Sequence, residues 1–315
     1  MNKKTIIIIA IIVIIIAAIG AFTLLGNSSS DDTINIGYMP SDHHAALFIA
    51  NSTGQFEEKG IKVNLVQFNN GGDIMTAAAS GDIDIAYVGI TPALSSIAKG
   101  VPIKVVSSVQ SEGSGIVASK GSGISSIADL KGKSVATPGE ASIQYMLLLY
   151  ALEKEGLTKD DVSISAMKVV SMVDALRTNN IDAIVSYEPF VTIPLSEGIG
   201  TEIASSAEIL PDHPCCVIVA RDDFINNKGD TLKEILKIHE NATNFVLENP
   251  EKTVELLPAD IVPDAEAEKE ALKNVKFSSG LDDAFINKVL DFMNIEIDMG
   301  LLKEALTKDQ IFKVI

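Results

Sequence analysis

Short apolar runs alternate with amphipathic stretches along most of the chain. Apolar runs rich in β-branched residues are typical of strands, and apolar positions three or four apart are typical of helices. In the first part of the chain, the predicted strands are residues 34–38, 61–66, 83–88 and 103–109. The predicted helices between them are residues 42–54, 72–80 and 91–98. This order predicts a parallel sheet with helices on both of its faces.

The middle of the chain repeats this alternation after a glycine-rich segment at residues 113–123. That segment contains a short strand at 115–119 and indicates a crossover to a second lobe. The further predicted strands are residues 133–137, 162–166, 181–185 and 216–220. The further predicted helices are residues 127–130, 141–155, 171–178, 191–197, 230–248, 264–275 and 282–298.

We therefore expect an α/β fold with two lobes that face each other across a cleft. Lobe 1 is discontinuous and comprises residues 33–120 and 220–315, while lobe 2 comprises residues 121–219. Two crossing segments between lobes form a hinge that permits closure. In open α/β sheets ligands bind at the carboxyl ends of strands, which places the ligand site in the cleft.

The N-terminus carries an apolar run at residues 6–25, which as a helix is long enough to cross the hydrocarbon core of a membrane. Lys3 and Lys4 precede it and hold the N-terminus in the cytoplasm by the positive-inside rule. We expect residues 1–27 to be a signal anchor or a cleaved signal peptide, followed by a polar tether at 28–32. The bulk of the chain is then extracytoplasmic, anchored to the cell membrane or secreted.

The amino-acid composition disfavours two classes of ligand, nucleic acids and sugars. The net charge is −17, so the surface repels phosphate backbones and nucleic-acid binding is not expected. Tryptophan is absent and aromatic residues make up 5% of the chain, which disfavours sugar sites built on stacked rings. The two cysteines, Cys215 and Cys216, are adjacent, so no long-range disulfide framework can form within one chain.

Five short segments resemble one family of transport proteins by their order and spacing. They are residues 34–38 (INIGY), 55–60 (QFEEKG), 80–86 (SGDIDIA), 127–133 (IADLKGK) and 187–190 (YEPF). Together they are similar to the nitrate/sulfonate/taurine-type solute-binding proteins of ABC importers, in the pyrimidine-synthase-like superfamily. The resemblance covers nearly the whole chain after the apolar run. It implies the two-lobed periplasmic-binding-protein type II fold, also called a Venus flytrap.

The resemblance also implies a function, namely the extracytoplasmic solute-binding component of an ABC importer. Its ligand would be a small organic or inorganic anion, similar to a sulfonate, nitrate or taurine, held in the interlobe cleft. Its partners would be a permease and an ATPase subunit on other chains, since this sequence has no Walker loop. We expect a monomer with no enzyme activity, no catalytic residues, no cofactor and no metal.

Ligand contacts in this family come from strand-to-helix loops, where helix N-termini suit an anion. We transfer these loops to the sequence and add the unusual segment at residues 212–216. The candidate ligand-binding residues are Tyr38, Ser41, Asp42, His43, His44, Asn70, Gly71, Gly89, Ile90, Thr91, Gly139, Ser142, Glu188, His213 and Cys215.

Two segments depart from nitrate-type members, namely residues 41–44 (SDHH) and 212–216 (DHPCC). The histidines of the first segment either face the ligand or cap the following helix. The cysteines of the second either contact an organic ligand or are inert thiols in a buried strand. A metal set of His43 or His44 with His213 and one cysteine is a lesser alternative, because His-Pro-Cys-Cys is not a standard zinc spacing.

Two further alternatives stay open. Glu188 either caps the helix that follows it or meets a cationic group of the ligand. At the level of function, the alternative is pyrimidine-precursor binding, or a pyrimidine-synthase-like enzyme of thiamine biosynthesis with active-site histidine and cysteine. Such enzymes are cytosolic, so the N-terminal apolar run disfavours that class.

Overall fold

A computed structural model describes residues 33–262 and 264–315. Residues 34–315 form one compact unit. The expected membrane segment at 1–27 and the tether at 28–32 lie outside the described residues, so both stay predictions. Among the described helices, none combines the length and hydrophobicity that a membrane span needs.

Two sheets organise the described chain. The strands are β1 (Ile34–Tyr38), β2 (Val63–Gln67), β3 (Ile85–Gly89), β4 (Ile103–Glu112), β5 (Ser114–Ser119), β6 (Ser134–Thr137), β7 (Ser163–Ala166), β8 (Ala183–Tyr187), β9 (Gly200–Ser205), β10 (Pro214–Arg221) and β11 (Val275–Phe277). The first sheet has the order β11-β4-β10-β3-β1-β2, and the second has the order β7-β6-β8-β5-β9. The α/β class and the two-lobed architecture predicted from the sequence are therefore confirmed.

Each sheet combines parallel strands with one strand that returns between them. In the first sheet β1 pairs in parallel with β2 and β3, as the alternating pattern predicts, and β10 runs antiparallel between β3 and β4. In the second sheet β6 pairs in parallel with β7 and β8, and β5 runs antiparallel between β8 and β9. The parallel strands end at the same edge of each sheet, and this edge faces the cleft.

Helices cover both sheets. The described α-helices are α1 (Ala45–Ser52), α2 (Gln55–Glu58), α3 (Gly71–Ser80), α4 (Ile90–Ala98), α5 (Ile143–Lys154), α6 (Val169–Arg177), α7 (Thr192–Ser196), α8 (Ser206–Ile209), α9 (Asp222–Asn227), α10 (Gly229–Glu248), α11 (Pro250–Leu256), α12 (Ala265–Ala271), α13 (Asp283–Asp298) and α14 (Lys308–Ile311). Short 3-10 helices lie at Asp42–His44, Ile127–Leu130, Lys159–Asp161 and Leu272–Asn274.

Sheet membership differs from the expected lobe boundaries at two strands. β5 belongs to the second sheet and β10 to the first, whereas boundaries at residues 120/121 and 219/220 assign most of each strand to the other lobe. The physical reason is that both strands start directly after the chain has crossed between lobes. The crossings therefore fall near Gly113 and His213, and the exact division of the chain into lobes stays a proposal.

The two crossing segments lie side by side. The amide of Glu112 donates to the carbonyl of His213 over 3.3 Å, and the amide of Asp212 donates to Glu112 Oε1 over 2.8 Å. Lys276 Nζ lies 3.1 Å from Glu112 Oε1 and 2.8 Å from Asp212 Oδ1, so one ammonium joins both crossings to β11. Glu112, Gly113 and Asp212 have φ angles of 63°, 75° and 56°, which only tight turns require. These contacts make the crossings a defined hinge.

Helix α5 is apolar on more than one face because it packs against both lobes. Its residues Leu148 and Leu152 lie in a core cluster with β5 and β6 of the second sheet. Ile143, Met146 and Leu147 belong instead to the core of the first sheet. The burial of these three side chains against the other lobe shows that the cleft is closed over α5.

Candidate functional site

The candidate site is the cleft between the two sheets. In this closed form its cavity has a volume of about 30 Å³, room for one or two water molecules, so a larger solute requires the lobes to separate. The lining residues are Met39, Ser41, His43, His44, Gly71, Gly89, Pro92, Pro138, Ala141, Ser142, Ile143, Gln144, Tyr187, Cys215 and Cys216. Among the described residues, no lysine or arginine lines this cleft, so its positive potential must come from the backbone.

Three helices begin at the cleft. Asn70 caps α3 by accepting from the amide of Asp73 over 2.9 Å, and α4 begins directly after Gly89. Ser142 caps α5 by accepting from the amide of Tyr145 over 3.1 Å. Each N-terminus carries unpaired amides and a partial positive charge, so the three together favour a negative or electron-rich ligand group.

Glycine at position 71 is required by packing. A Cβ atom there would lie 2.7 Å from Pro92 Cγ and 3.3 Å from Val88 Cγ2. The absence of a side chain lets the start of α3 approach the start of α4 closely. The N-termini of α3 and α4 therefore both point at the same part of the cleft.

The segment Ser41–His44 forms the floor on the side of β1. Ser41 accepts from the amide of His43 over 3.2 Å, and its hydroxyl donates to the carbonyl of Glu188 over 3.0 Å. His44 Nδ1 lies 3.3 Å from the amide nitrogen and 3.2 Å from the carbonyl oxygen of Met39, so it accepts from the first or donates to the second according to its tautomer. Burial, followed by the proximity of His43, lowers the pKa of His44 to about 3, so this imidazole is neutral at physiological pH. Its buried Nε2 has no protein partner among the described residues.

The His43 ring is held at both nitrogens. Nε2 lies 2.9 Å from the carbonyl of Gly113, and Nδ1 lies 2.5 Å from the amide nitrogen of Gln110. A carbonyl can only accept and an amide N–H can only donate. His43 therefore carries its proton on Nε2 and presents a lone pair at Nδ1.

Both thiols lie next to that lone pair. Cys215 Sγ and Cys216 Sγ lie 3.7 Å and 4.0 Å from His43 Nδ1, and 3.9 Å from each other. Burial opposes ionisation of Cys215, but the hydrogen bond with Cys216 holds the pKa of Cys215 well below its usual value. The contact with Cys215, together with burial, raises the pKa of the Cys216 thiol. The pair therefore shares one negative charge more readily than two.

Tyr187 closes the opposite wall at the end of β8. Its ring centroid lies 5.6 Å from that of His43 and 5.9 Å from that of Phe190. Its buried hydroxyl has no protein partner in the described part of the chain. Burial raises the pKa of Tyr187, so the hydroxyl stays protonated and can donate to a ligand.

The structure brings together seven of the residues proposed from the sequence. Those that line the cleft are Ser41, His43, His44, Gly71, Gly89, Ser142 and Cys215. Those that do not contribute to the lining are Tyr38, Asp42, Asn70, Ile90, Thr91, Gly139, Glu188 and His213. Three further lining residues, Pro138, Ala141 and Tyr187, lie in strand-to-helix loops that the family resemblance places at the site. The residues that the sequence reasoning missed are Met39, Pro92, Ile143, Gln144 and Cys216.

The proposed residues outside the lining have other partners. Glu188 accepts from the amide and hydroxyl of Thr192 over 3.0 and 2.9 Å, and from Asn274 over 2.7 Å, so it caps the start of α7. The His213 ring stacks on Phe292 at 6.4 Å, and its Nδ1 donates to the carbonyl of Leu210 over 2.9 Å. The Tyr38 hydroxyl donates to Gln67 over 3.3 Å.

Three buried carboxyl groups lie behind the floor of the cleft. Burial, followed by the carboxylates of Glu268 and Glu188, raises the pKa of Asp42 well above its ordinary value. Burial and then Glu188 raise the pKa of Glu268 to about 8, and neither oxygen of Glu268 has a protein partner among the described residues. Glu268 therefore holds its proton near neutral pH, the pKa of Asp42 is shifted in the same direction, and the carboxylate of Glu188 keeps its three hydrogen-bond donors.

These shifts predict a stability maximum between about pH 4.5 and 6.5. Burial raises the pKa of Glu268 to about 8 and that of Glu296 to about 7, so folding binds protons that the unfolded chain releases above pH 4.5. Stability is then lost as pH rises from 4.5 to 8. Burial lowers the pKa of His44 to about 3 and that of His239 to about 4, so stability is also lost as pH falls below 6.5.

Thermal melting from pH 4 to 9 measures this maximum. Glu268→Gln removes one of the groups that lose stability at high pH, so the variant should melt higher than the wild type at pH 8. We expect a gain on the order of 1–3 kcal/mol there and no gain near pH 4.5. A melting temperature that rises steadily up to pH 8 in the wild type would contradict the assignment.

The closed cleft and the paired α/β sheets define a two-lobed α/β fold. The chain belongs to the NMT1-like family, whose model matches residues 27–257. A candidate binding protein of Brucella abortus (strain 2308) is 28% identical over 241 residues, which cover 75% of this chain and 74% of that protein. A 4-amino-5-hydroxymethyl-2-methylpyrimidine phosphate synthase of Saccharomyces cerevisiae is 25% identical over 242 residues, which cover 71% of this chain and 69% of the enzyme.

Solved structures share the fold at lower identity. The ligand-binding component of an ABC-type import system from Staphylococcus aureus, solved with zinc bound, has a TM-score of 0.79 at 22% identity over 90% of this chain and 97% of that chain. The alkanesulfonate-binding protein SsuA from Xanthomonas axonopodis pv. citri, bound to MOPS, has a TM-score of 0.79 at 19% identity over 89% and 98%. The resemblance to nitrate- and sulfonate-type solute-binding proteins that the five segments suggested is confirmed.

Proposed function

We propose that the protein is the extracytoplasmic solute-binding component of an ABC importer and that it is not an enzyme. The observation that carries the proposal is the closed interlobe cleft, in which the N-termini of α3, α4 and α5 meet neutral polar side chains. The permease and the ATPase would be separate chains. The chain would be held outside the cytoplasm by its N-terminal segment.

The proposed solute is a small anion of the sulfonate, carboxylate or nitrate class. Three helix N-termini supply positive potential, and the Tyr187 hydroxyl, which has no protein partner among the described residues, can donate to an anionic oxygen. The lining is otherwise apolar, from Met39, Pro92 and Ile143, which suits the organic part of a sulfonate. The alkanesulfonate-binding neighbour supports the same class, since its lobes superimpose on these.

Closure gives such a protein its role in transport. The lobes bury the solute between them, and the permease distinguishes the closed form from the open one. A ligand can shift this equilibrium only by its differential affinity for the two forms. Contacts from both lobes, such as Ser41 on one side and Ser142 on the other, provide that difference.

A thermal-shift screen of the full chain in mild detergent tests the solute class. Taurine, alkanesulfonates, MOPS, nitrate and small carboxylates are the probes. A solute at 100 times its dissociation constant should stabilise the fold by about 2.7 kcal/mol, which corresponds to roughly 5 °C. A shift with none of these anions would refute the class. A shift with a pyrimidine precursor alone, followed by its chemical conversion, would favour the synthase-like alternative.

Ser142→Ala is expected to weaken binding of the best anion about tenfold, because the cap that fixes the N-terminus of α5 at the cleft is lost. Ser205→Ala is the matched control, since Ser205 caps α8 by accepting from the amide of Glu208 over 3.3 Å but does not line the cleft. Both variants should lose about 1 kcal/mol of stability. Isothermal titration should then show weaker binding in Ser142→Ala alone, and equal affinities would remove Ser142 from the site.

A further inference from the structure

We propose that His43, Cys215 and Cys216 bind one thiophilic metal ion, Zn²⁺ or Cu⁺, at the base of the cleft. The imidazole nitrogen and the two sulfurs lie within 4.8 Å of one another, and all three residues are buried. Two thiolates and an imidazole are the ligand types that soft and borderline cations prefer. The inference concerns the same cleft as the proposed solute site and adds a resident ion to it.

The distances match a coordination sphere. Metal–sulfur bonds of about 2.3 Å and metal–nitrogen bonds of about 2.0 Å place ligand atoms roughly 3.5–4.0 Å apart in tetrahedral or trigonal geometry. The three separations here are 3.7, 4.0 and 3.9 Å. An ion could therefore occupy the centre of the triangle with little movement of the protein.

A break in strand register brings the two sulfurs to the same side. Successive side chains of a regular strand point to opposite faces of the sheet, so adjacent cysteines normally diverge. In the pairing of β10 with β4, Pro214 lies opposite Ser111 and Cys216 lies opposite Gln110, which leaves Cys215 as an extra residue. Such a bulge re-aims a side chain, and bulges are common beside functional sites. Here it directs both thiols toward His43.

The orientation of His43 is also that of a metal ligand. Its Nε2–H donates to the carbonyl of Gly113 over 2.9 Å, which fixes the ring and leaves the lone pair of Nδ1 toward the sulfurs. Ligating histidines usually donate their other N–H to a carbonyl or carboxylate in this way. An ion would displace the amide nitrogen of Gln110 from His43 Nδ1 and from the Cys216 thiol. The amide oxygen of Gln110 has no protein partner among the described residues, so the side chain can turn without breaking a bond on that side.

The fourth coordination position would face the cleft. His43, Cys215 and Cys216 all contribute to the lining, so an ion between them is reached from the cavity. Three protein ligands with one open position are typical of zinc sites that bind a further small molecule. A donor atom of the solute could complete the coordination sphere. This geometry links metal loading to the range of solutes that the cleft accepts.

Metal titration of the full chain tests the inference. The protein is reduced, stripped with chelator and titrated with Co²⁺ as a spectroscopic substitute for Zn²⁺. We expect one Co²⁺ per chain, a thiolate-to-cobalt charge-transfer band, and displacement by one Zn²⁺. In a second arm, Cu⁺ is supplied without oxygen in competition with a chromophoric chelator. Tight binding in that arm with none in the first would assign Cu⁺.

Variants assign the ligands. Cys215→Ser, Cys216→Ser and His43→Gln should each weaken binding by about 100-fold or more, since each removes a ligand atom. His213→Gln is the control, because His213 is buried nearby but lies outside the triangle, and its affinity should stay within about threefold of the wild type. Circular dichroism checks that each variant is folded.

Failure of the inference differs from failure of the proposed function. Wild-type protein that binds neither Zn²⁺ nor Cu⁺ at one per chain would overturn the metal site, and that result does not depend on any variant. Equal affinities in the wild type and the two cysteine variants would overturn it as well. If the stripped protein still melts higher with an anionic solute, the solute-binding function stands without the metal.

Discussion

Replacement of Gly113 by alanine is expected to displace the ring of His43 and to weaken both folding and binding in the cleft. A Cβ atom at position 113 would lie 2.5 Å from His43 Nε2 and 3.0 Å from Val275 Cγ2. The ring cannot move aside without cost, since it is hydrogen-bonded to Gln110 and to the carbonyl of Gly113 itself. The substitution therefore acts on the hinge and on the cleft at once.

The expected loss has two parts. Gly113 has a φ of +75°, and alanine in this left-handed region costs about 1–2 kcal/mol. Displacement of a buried, hydrogen-bonded ring adds about 1–3 kcal/mol. We therefore expect the free energy of unfolding, measured in urea, to fall by about 2–5 kcal/mol.

The variant Gly123→Ala separates the loss due to backbone conformation from the loss due to displacement of the His43 ring. Gly123 has a φ of +76°, and nothing lies within 4 Å of a Cβ atom there. This variant should lose only the conformational part, about 1–2 kcal/mol, and should keep Co²⁺ and anion affinity. Equal losses of stability in the two variants would mean that the contact between position 113 and His43 has no energetic effect.

Replacement of Ile143 by aspartate is expected to hold the lobes apart. Ile143 is the first residue of α5 in one lobe, but its side chain is buried in the core of the other lobe, with 3% of its surface exposed. Its Cδ1 lies 3.2 Å from the position that a Cβ of Gly89 would take. Aspartate suits the N-terminus of its own helix, but it puts a carboxylate into an apolar contact, which costs several kcal/mol in the closed form alone.

Separation of the two lobes in Ile143→Asp should be detectable without any solute. Hydrogen exchange should speed up in peptides around β3 and the start of α5, and affinity for the best anion should fall by about 100-fold or more. Val170→Asp is the control, since Val170 lies in the first turn of α6 and is 59% exposed. Unchanged exchange in Ile143→Asp would show that this contact does not keep the cleft closed.

The fold could be predicted from the sequence because its signals are local and repeated. The parallel register of β1 with β2 and β3 follows from short apolar runs separated by helices. Helix ends were equally readable, since Gly81, with a φ of 87°, terminates α3 where the sequence places a glycine. The lobe boundaries were harder to predict from the sequence, because they depend on which sheet β5 and β10 join.

The site was predicted less completely because it depends on long-range geometry. His43 and Cys215 were candidates, but Cys216 was not, and regular alternation along a strand points adjacent residues to opposite faces. Both sulfurs lie together only because of the register shift between β10 and β4. No local sequence pattern predicts that shift. The ring of His213 stacks on Phe292 of α13, which lies far along the chain, and no local pattern predicts that contact.

The side-by-side crossings near Gly113 and His213 also bear on how such a chain can be recombined. The chain enters the second sheet and leaves it at points joined by the 3.3 Å hydrogen bond from Glu112 to His213. The intervening segment therefore behaves as an insert with adjacent ends. An equivalent segment from another family member could be exchanged between the same two points while the strand order of the first sheet is kept. Such chimaeras would carry His43 and both thiols unchanged and would vary only the wall contributed by α5 and Tyr187.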